Sequence, residues 1–594
     1  MKFFSFYSLF LVVLFASCKL NSESQKETES ANKDLTAVFE KFHEEGLQLR
    51  PVDATYEGDN RFNDKLTIDF TDAYRDSLKH YYEKYNTLLA GFDKDKLNEQ
   101  DKLSYDIFKY TLDLSIEELK YPENLIPFNQ FSALTLTMGQ LGNGTGAQPF
   151  KTVADYDNWI KRATAFSAWA DSSIVYFRKG ITKNYVLPKT LVVKMIPQMK
   201  ELVTSDPLKS VFYGPITSLP ASFSEADKKR LTAAYLQLIQ QQIVPTYNKL
   251  AVFLQNEYLP KARNTSGVSD LPDGKDYYAF CVKQQTTTSK TPDEIYNLGL
   301  SEVKRIRHQM DSVKESVHFK GDLAAFFEFM KTDKRFMTYK KPEEVLAAFE
   351  KIHQTMQPQL KNEFIHVPKT KFEIRQTEAF RAATASAEYN QGSADGSRPG
   401  IFYVPILDAT KFNTTSGMES LFLHEAIPGH HYQISLQQED TTLPKFRRFG
   451  GQNAYVEGWA LYCESLGKEL GLFTDPYQYM GALGDEIHRA IRLVVDVAIH
   501  TKGMSREDAI KYMMENEQIS EQGATAEIER YMSWPGQALG YKIGALKIRE
   551  LRTKYTNQMG SKFSIGDFHD QVLKDGSMPL ALLEQKLDKW AVGK

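Results

Sequence analysis

Apolar residues recur every three or four positions along most of this chain, and this spacing restricts the fold more than any other feature. Residues 73–89 and 101–119 show it clearly. Another helix is predicted from Pro292, with Thr291 as its N-cap. Strand-like alternation is rare, and its clearest run is residues 401–404. The sequence therefore predicts a mostly α-helical fold with a small β element near residue 402.

The composition is that of an ordinary folded protein and argues against several functions. Of the 594 residues, 42% are hydrophobic and 25% are charged. The formal net charge is -3, so no basic excess indicates nucleic-acid binding. The three cysteines, Cys18, Cys281 and Cys463, are too few and too far apart for a disulfide framework. The oligomeric state is not indicated by any of these features.

Residues 1–17 have the pattern of a secretory signal peptide. Lys2 precedes an apolar run, and the small residues Ala16 and Ser17 precede Cys18. As a helix the apolar run would span about 20 Å, too short for a hydrocarbon core of about 30 Å. Small residues before a cysteine resemble a bacterial lipobox, in which the exported cysteine is acylated. The alternative is ordinary cleavage that leaves Cys18 unmodified.

Residues 18–34, which begin with this cysteine, are predicted to be a lipidated flexible tether. Residues 21–34 are polar and cannot bury enough apolar surface to fold. Residues 35–594 are predicted to form the folded helical domain, as one body or as two lobes. Together these features predict an exported cell-envelope lipoprotein anchored in a membrane through Cys18, at the outer membrane or the cell surface.

The segment 424–431, HEAIPGHH, carries the strongest indication of chemistry. His424 followed by Glu425 resembles the HExxH helices of zinc peptidases, in which two histidines one turn apart bind zinc. Here His424 and His430 are six residues apart, which on an unbroken helix leaves them about 120° and about 9 Å apart. The Pro428-Gly429 pair must therefore break the helix if both histidines are to bind one ion.

His431 is the alternative to His430 as the second ligand, because it lies seven residues from His424 and shares its helix face. The third ligand is predicted in the segment 453–464, a helix expected to end near Gly471. There Glu457 and Glu464 share one face among apolar residues, where unpaired charge is costly. We assign Glu457 to the metal and Glu464 to orienting a ligand histidine. The alternative is that either carboxylate is solvated or paired in a salt bridge.

Two histidines and one glutamate leave a coordination position free, as catalytic zinc sites require. The expected cofactor is therefore zinc, which acidifies a water and polarises a carbonyl. Glu425 is the expected general base, and it would later deliver the proton to the leaving amine. A donor to the developing oxyanion is expected nearby.

A second polar feature lies on an otherwise apolar predicted helix. Arg489, Arg492, Asp496 and His500 fall on one face of it. Two interpretations are open: an internal ion-pair network, or the wall of a substrate channel. In the second, His500 is the member expected to reach a substrate.

Several long motifs make the chain resemble a bacterial metallopeptidase-like family described as domain of unknown function 885. These motifs are LFLHEAIPGHHYQ, YVEGWALYCE, HRAIRLVVDVAIHTKGMS, EIERYMSWPGQALGYKIG and FHDQVLKDGSMPL. The family is distantly similar to the thimet-oligopeptidase and carboxypeptidase-Taq zinc peptidases. The resemblance implies a large helical fold around a deep channel, zinc as cofactor and short peptides as substrates.

The resemblance also assigns roles to residues of this sequence. It implies that His424, His430 and Glu457 are the metal ligands, that Glu425 is the base and that Tyr541 is the phenolic donor to the oxyanion. A further set is expected to orient ligands or contact substrate: His431, Glu464, Arg492, His500 and Gln537.

Two other classes of function fit the same residues. One is a catalytically inactive peptide-binding lipoprotein, although a binding protein has no need of Glu425 beside a ligand histidine. The other is a metal-dependent hydrolase of a non-peptide amide or ester. A serine hydrolase is disfavoured because the sequence has no G-x-S-x-G motif.

The lipobox generates the first prediction. Replacing Cys18 by Ser removes the thiol that would be acylated, so the Cys18→Ser protein should move from the membrane fraction to the soluble fraction. Fractionation with mass spectrometry of the mature N-terminus measures this. A soluble wild-type protein with a free thiol at Cys18 would contradict the anchor.

Overall fold

The computed structural model describes residues 31–377, 386–393, 396 and 398–593. Helices dominate these residues, and the strands form one small sheet, so the predicted mostly α-helical fold with a small β element is confirmed. The signal peptide, Cys18 and nearly all of the predicted tether lie outside the described residues. The first helix begins at Lys33, so the folded domain starts slightly before the predicted boundary at Leu35.

The helices before the sheet form the N-terminal part of the molecule. They are α1 (Lys33–Leu49), α2 (Pro51–Glu57), α3 (Asp72–Ala90), α4 (Glu99–Glu118), α5 (Leu134–Gly142), α6 (Val153–Thr182), α7 (Lys189–Glu201), α8 (Gly214–Thr217), α9 (Glu225–Leu238), α10 (Val244–Phe253), α11 (Gly274–Thr286), α12 (Pro292–Ser316), α13 (Leu323–Thr332) and α14 (Pro342–Glu363).

The helices after the sheet carry the functional motifs. They are α15 (Met418–Glu425), α16 (His430–Glu439), α17 (Lys445–Arg448), α18 (Asn453–Glu464), α19 (Pro476–Thr501), α20 (Arg506–Asn516), α21 (Glu521–Ser533), α22 (Leu539–Met559), α23 (Ile565–Leu573) and α24 (Leu580–Val592). None of the helices in the described ranges is both long enough and apolar enough to cross a bilayer.

Local capping explains why the predicted helices begin where they do. At α12 the Thr291 hydroxyl accepts a hydrogen bond from the amide of Glu294, and the Glu294 carboxylate accepts one from the amide of Thr291. This reciprocal pair satisfies donors that the first helical turn leaves free. Ser505 caps α20 in a similar way by accepting from the amide of Asp508.

The sheet consists of β1 (Phe372–Gln376), β2 (Glu388–Asn390) and β3 (Gly400–Val404), in the order β1-β3-β2. β3 pairs in parallel with β1 and antiparallel with β2. The central strand is mostly buried, and its Phe402 ring lies 5.2 Å from Phe349 of α14 and 6.4 Å from Phe422 of α15. The sheet therefore packs directly against the helix that carries His424.

The N-terminal helices α1, α3 and α4 have a small hydrophobic cluster of their own. Phe39, Phe42, Tyr85 and Phe108 are buried in it, and Phe446 of α17 packs against it. Leu47, Ala54 and Phe62 form a third small cluster, and most of the other buried hydrophobic residues described share one large core. Division into two lobes around a deep channel remains a prediction.

The close contact of α18 with α22 decides where the motif residues meet. A Cβ atom on Gly458 would lie 2.5 Å from Cα of Gly544, and one on Gly544 would overlap the carbonyl oxygen of Ala454. Gly540 is similarly close to Asn453. The two helices therefore run side by side in backbone contact, which brings the first turn of α22, with Tyr541, beside the first turn of α18.

The predicted end of α18 near Gly471 is wrong, because the helix ends at Glu464. Turns follow it, and Gly471 lies within them at a φ of 81°, in the left-handed region that favours glycine. The shorter helix still carries both glutamates that the sequence singled out.

The glycine contact generates a stability prediction. Gly544→Ala should lower the free energy of unfolding by about 1–3 kcal/mol, because the added methyl overlaps backbone that cannot move aside. Gly484→Ala in α19 is the matched control, since a Cβ there meets nothing within 4 Å. That control should raise the free energy by about 0.5–1 kcal/mol. Denaturant unfolding of both variants is the measurement, and equal stabilities would contradict the close packing.

Candidate metal centre

A sharp turn between α15 and α16 separates the two histidines of the motif. α15 ends at Glu425, α16 begins at His430, and residues 426–429 form the turn. The carbonyl oxygen of Pro428 accepts a hydrogen bond from Nε1 of Trp459 at 2.9 Å and a weaker one from Sγ of Cys463 at 3.5 Å. Trp459 and Cys463, four residues apart on α18, therefore hold residues 426–429 in place.

Glycine is required at position 429 by the closeness of the two helices. A Cβ atom there would overlap the carbonyl oxygens of His424 and Leu423. α16 thus starts directly against the last turn of α15. The ring centroids of His424 and His430 lie 4.8 Å apart and their planes are at 90°.

Glu457 of α18 completes this cluster. Its Oε2 atom lies 3.4 Å from Nε2 of His430 and 3.7 Å from Nε2 of His424. One ligand atom from each of the three residues lies within 4.8 Å of the others. The side chains of His424, His430 and Glu457 are 4%, 12% and 21% exposed, so the cluster opens towards solvent on the Glu457 side.

The geometry of these three residues fits a zinc ion. Ligand atoms about 2.0–2.1 Å from a tetrahedral zinc lie about 3.4 Å from one another. The 3.4 Å and 3.7 Å separations are close to that value, and the widest separation, at most 4.8 Å, requires only a small rotation of a side chain. Two imidazoles and one carboxylate are also a common donor set of catalytic zinc sites.

Glu464 orients His424 from the side opposite to Glu457. Its Oε1 atom lies 2.8 Å from Nδ1 of His424, so the imidazole points Nε2 at the cluster. Behind Glu464, Nη2 of Arg489 lies 3.8 Å from the same oxygen, and Nη1 of Arg489 lies 3.4 Å from Asp485. Asp485 in turn accepts a hydrogen bond from Ser420 of α15. These contacts run from His424 of α15 through Glu464, Arg489 and Asp485 and return to α15 at Ser420.

The buried charges shift one another strongly. Burial lowers the pKa of His424, but its hydrogen bonds to Glu457 and Glu464 outweigh this and raise it to about 10. Burial alone would raise the pKa of Glu457, yet the charge of His430 and the contacts with both histidines hold it well below its usual range. Burial raises the pKa of Asp485 to about 6 against the opposing charge of Arg489. The cluster is thus built to keep Glu457 ionised.

His431, the alternative ligand, lies away from the cluster. Its Nδ1 atom is 3.0 Å from the hydroxyl of Tyr389 on β2, and its ring lies 4.9 Å from that of Phe372 on β1. Burial lowers the pKa of His431 to about 4, so the ring is neutral. The structure therefore brings His430, not His431, to His424 and Glu457.

Glu425 is the last residue of α15 and is half-buried. The negative charge of Glu425 contributes to the raised pKa of the adjacent His424. Within the described part of the chain its carboxylate makes no hydrogen bond and no salt bridge. A carboxylate beside the cluster with no structural partner is available to accept a proton.

Tyr541 lies in a pocket of arginines and amides. The guanidinium carbon of Arg492 lies 4.6 Å from the centre of its ring, and Nη2 of Arg530 lies 3.4 Å from its hydroxyl. The same Nη2 donates to Oε1 of Gln537 at 2.9 Å. Arg492 and Gln537 are therefore grouped around Tyr541.

Among the described residues, the polar face of α19 forms an internal hydrogen-bonding network. Arg492 donates to Tyr531 at 2.9 Å and to Glu527 at 3.0 Å. Asp496 is fully buried and accepts from the hydroxyl of Tyr278 at 2.6 Å and from the amide of Gly536. Burial raises the pKa of Asp496 to about 7. The first of the two interpretations of this face is therefore the one that the structure supports.

The expectation that His500 reaches a substrate is wrong in this arrangement. The amide of Val268 lies 3.1 Å from its Nδ1, and its Nε2 lies 3.1 Å from the carbonyl oxygen of Tyr531. The ring is fully buried, 4.9 Å from that of Tyr278, and burial lowers its pKa to about 3. Both ring nitrogens are occupied by backbone groups, so His500 joins α19 to the segments around it.

Sequence reasoning missed Arg530, Arg489 as a partner of Glu464, and Asp485. Two of these could have been found: Asp485 and Arg489 are four residues apart on a predicted helix, a spacing that favours an ion pair. Arg530 stands in the EIERYMSWPGQALGYKIG motif, but its contact with Tyr541 depends on the turn between α21 and α22.

Comparison with known proteins places these residues in a family. Residues 51–587 match the family described as bacterial protein of unknown function DUF885. The chain belongs to this family. No curated protein matches the chain. The description of this family names no activity.

Two solved structures resemble this chain over most of its length. One, described as "the putative lipoprotein from Colwellia psychrerythraea", is 27% identical, with a TM-score of 0.88, covering 94% of this chain and 99% of that one. Another, "a putative lipoprotein of unknown function from Shewanella oneidensis", is 19% identical, with a TM-score of 0.72 and the same coverage, and it shows the fold alone. The first description names a lipoprotein, the class of protein that the sequence pattern around Cys18 predicts.

The cluster generates a metal-binding prediction. His424→Ala, His430→Ala and Glu457→Ala should each abolish stoichiometric zinc binding, because each removes one of three converging ligand atoms. His431→Ala should retain zinc and serves as the matched control from the same motif. Metal analysis of the purified, zinc-loaded proteins is the measurement. Full zinc content in the Glu457→Ala protein would show that the cluster is not a metal site.

Proposed function

We propose that this protein is a zinc-dependent peptidase of the bacterial cell envelope that hydrolyses short peptides. The observation that carries the proposal is the convergence of His424, His430 and Glu457 beside Glu425, whose carboxylate has no other partner in the described residues. A structural carboxylate would be paired, whereas a general base has to be free to take a proton.

Each residue of the site has a separate task. His424, His430 and Glu457 would hold the metal, and Glu464 fixes the orientation of His424. Zinc bound there would acidify a water and polarise the scissile carbonyl. Glu425 would accept the proton of the attacking water and pass it to the leaving amine. Tyr541 would donate its phenolic hydrogen bond to the carbonyl oxygen as negative charge develops.

Two other functions are compatible with parts of this site. A catalytically inactive peptide-binding lipoprotein would retain the cluster, but it gives no reason for an unpaired carboxylate directly after a ligand histidine. A hydrolase of non-peptide amides or esters would use the same residues. A panel of peptides, amides and esters, assayed with and without a chelator, separates these functions.

We also propose where the protein works. A signal peptide and a lipobox cysteine would place it outside the cytoplasm, anchored at the outer membrane or the cell surface. Its substrates there would be short peptides, and the modest net charge of -3 gives no reason to invoke a nucleic-acid partner.

Loss of the general base is the decisive test of this mechanism. Glu425→Gln retains the size of the side chain but cannot accept a proton, so kcat on a short peptide should fall by about 100- to 10,000-fold. Zinc content and thermal stability should stay at the wild-type values, because Glu425 holds no structural partner. Tyr541→Phe should cost about 100- to 1,000-fold, as for loss of one oxyanion donor. Near-normal turnover by the Glu425→Gln enzyme would refute the mechanism.

A further inference from the structure

Arg530 is an arginine with unused hydrogen-bonding capacity beside the proposed oxyanion donor. Its Nη2 contacts Gln537 and the hydroxyl of Tyr541, at 2.9 Å and 3.4 Å. Its Nε is buried without a partner, and its Nη1 makes no hydrogen bond among the described residues. The side chain is 19% exposed, so part of the guanidinium faces solvent.

The charge of Arg530 is also largely unneutralised. The nearest carboxylate is Glu527, whose Oε1 lies 3.8 Å from Nη1 of Arg530. Oε2 of that carboxylate already accepts from Arg492 at 3.0 Å and from Tyr531 at 2.6 Å, and it lies 3.5 Å from Nε2 of His488. His488 is also paired with Glu517, at 2.9 Å from its Nδ1. Arg492 and Arg530 therefore share the single charge of Glu527, which leaves a positive charge at the edge of the site that an anionic group could neutralise.

We infer that Arg530 binds the terminal carboxylate of the substrate, so that the enzyme acts as a carboxypeptidase; this inference rests on the proposed peptidase function. Consecutive residues of an extended peptide are about 3.3–3.6 Å apart along the chain. If the hydroxyl of Tyr541 contacts the scissile carbonyl, a guanidinium 3.4 Å from that hydroxyl is within reach of the carboxylate one residue further on. Arginine suits this task because its fork of N–H donors matches a carboxylate.

Two exposed aromatic rings next to Arg530 indicate which terminal residue would be preferred. Phe131 and Trp534 are 46% and 43% exposed, and their centroids are 6.0 Å apart. The guanidinium carbon of Arg530 lies 5.3 Å from the centre of the Phe131 ring. A large apolar or aromatic C-terminal side chain could cover these rings while its carboxylate meets Arg530.

The experiment compares one N-acetylated peptide ending in Phe as the free acid and as the amide. For the wild-type enzyme, kcat/KM for release of Phe from the acid should be about 10- to 100-fold higher than kcat/KM for release of Phe amide from the amidated peptide. This ratio corresponds to one charge-assisted hydrogen bond. Arg530→Gln should remove this preference by raising KM for the acid more than KM for the amide, while any effect through Tyr541 lowers kcat for both peptides alike. Arg530→Lys, which retains the charge, should restore part of it.

Arg506→Gln is the control, since Arg506 of α20 pairs with Glu529 of α21, the helix that carries Arg530, and makes no contact with Tyr541 among the described residues. It should keep the wild-type preference. Equal hydrolysis of acid and amide by the wild type, or unchanged preference in a folded, zinc-loaded Arg530→Gln enzyme, overturns the inference and leaves the peptidase function standing.

If the peptidase function itself is wrong, a different result is expected. If neither peptide is hydrolysed, binding of both peptides to the zinc-loaded Glu425→Gln protein is measured by calorimetry. Tighter binding of the acid, lost in the Glu425→Gln/Arg530→Gln double variant, supports carboxylate recognition without catalysis. Equal binding of acid and amide overturns the inference itself.

Discussion

The site depends on one backbone carbonyl, that of Pro428. Trp459 and Cys463 both donate to it, and both stand on the helix that carries Glu457 and Glu464. The same helix therefore fixes the turn between the two histidines and supplies the carboxylates that meet them. Together with the hydrogen bond between His424 and Glu464, this contact fixes α15 and α16 against α18, so that the three candidate ligands converge.

Much of the fold and the centre of the site could be predicted from the sequence. Helical spacing and capping residues are local signals, so the helices predicted from them, α3, α4 and α12, lie close to their true positions. The break at Pro428-Gly429 follows from backbone chemistry alone, and it made His424 and His430 a plausible pair. Glu457 and Glu464 could be chosen because two carboxylates on an apolar face need partners.

Other features depend on contacts that are distant in the sequence. The choice between His430 and His431 is decided by Tyr389 and Phe372, which hold His431 against the sheet. The role of His500 is decided by two backbone groups, from Val268 and Tyr531, that no pattern around His500 could reveal. The end of α18 was predicted too late because its apolar pattern continues into turns that pack on the same core.

The backbone contact between Gly458 and Gly544 has a consequence for how this site can vary. With no side chain between α18 and α22, the separation of Glu457 from Tyr541 is set by the van der Waals radii of main-chain atoms. Substitutions elsewhere in the core can change the stability of the domain without altering that separation. The spacing between the carboxylate and the phenol thus behaves as a fixed length, and a larger residue at either glycine would force it to change.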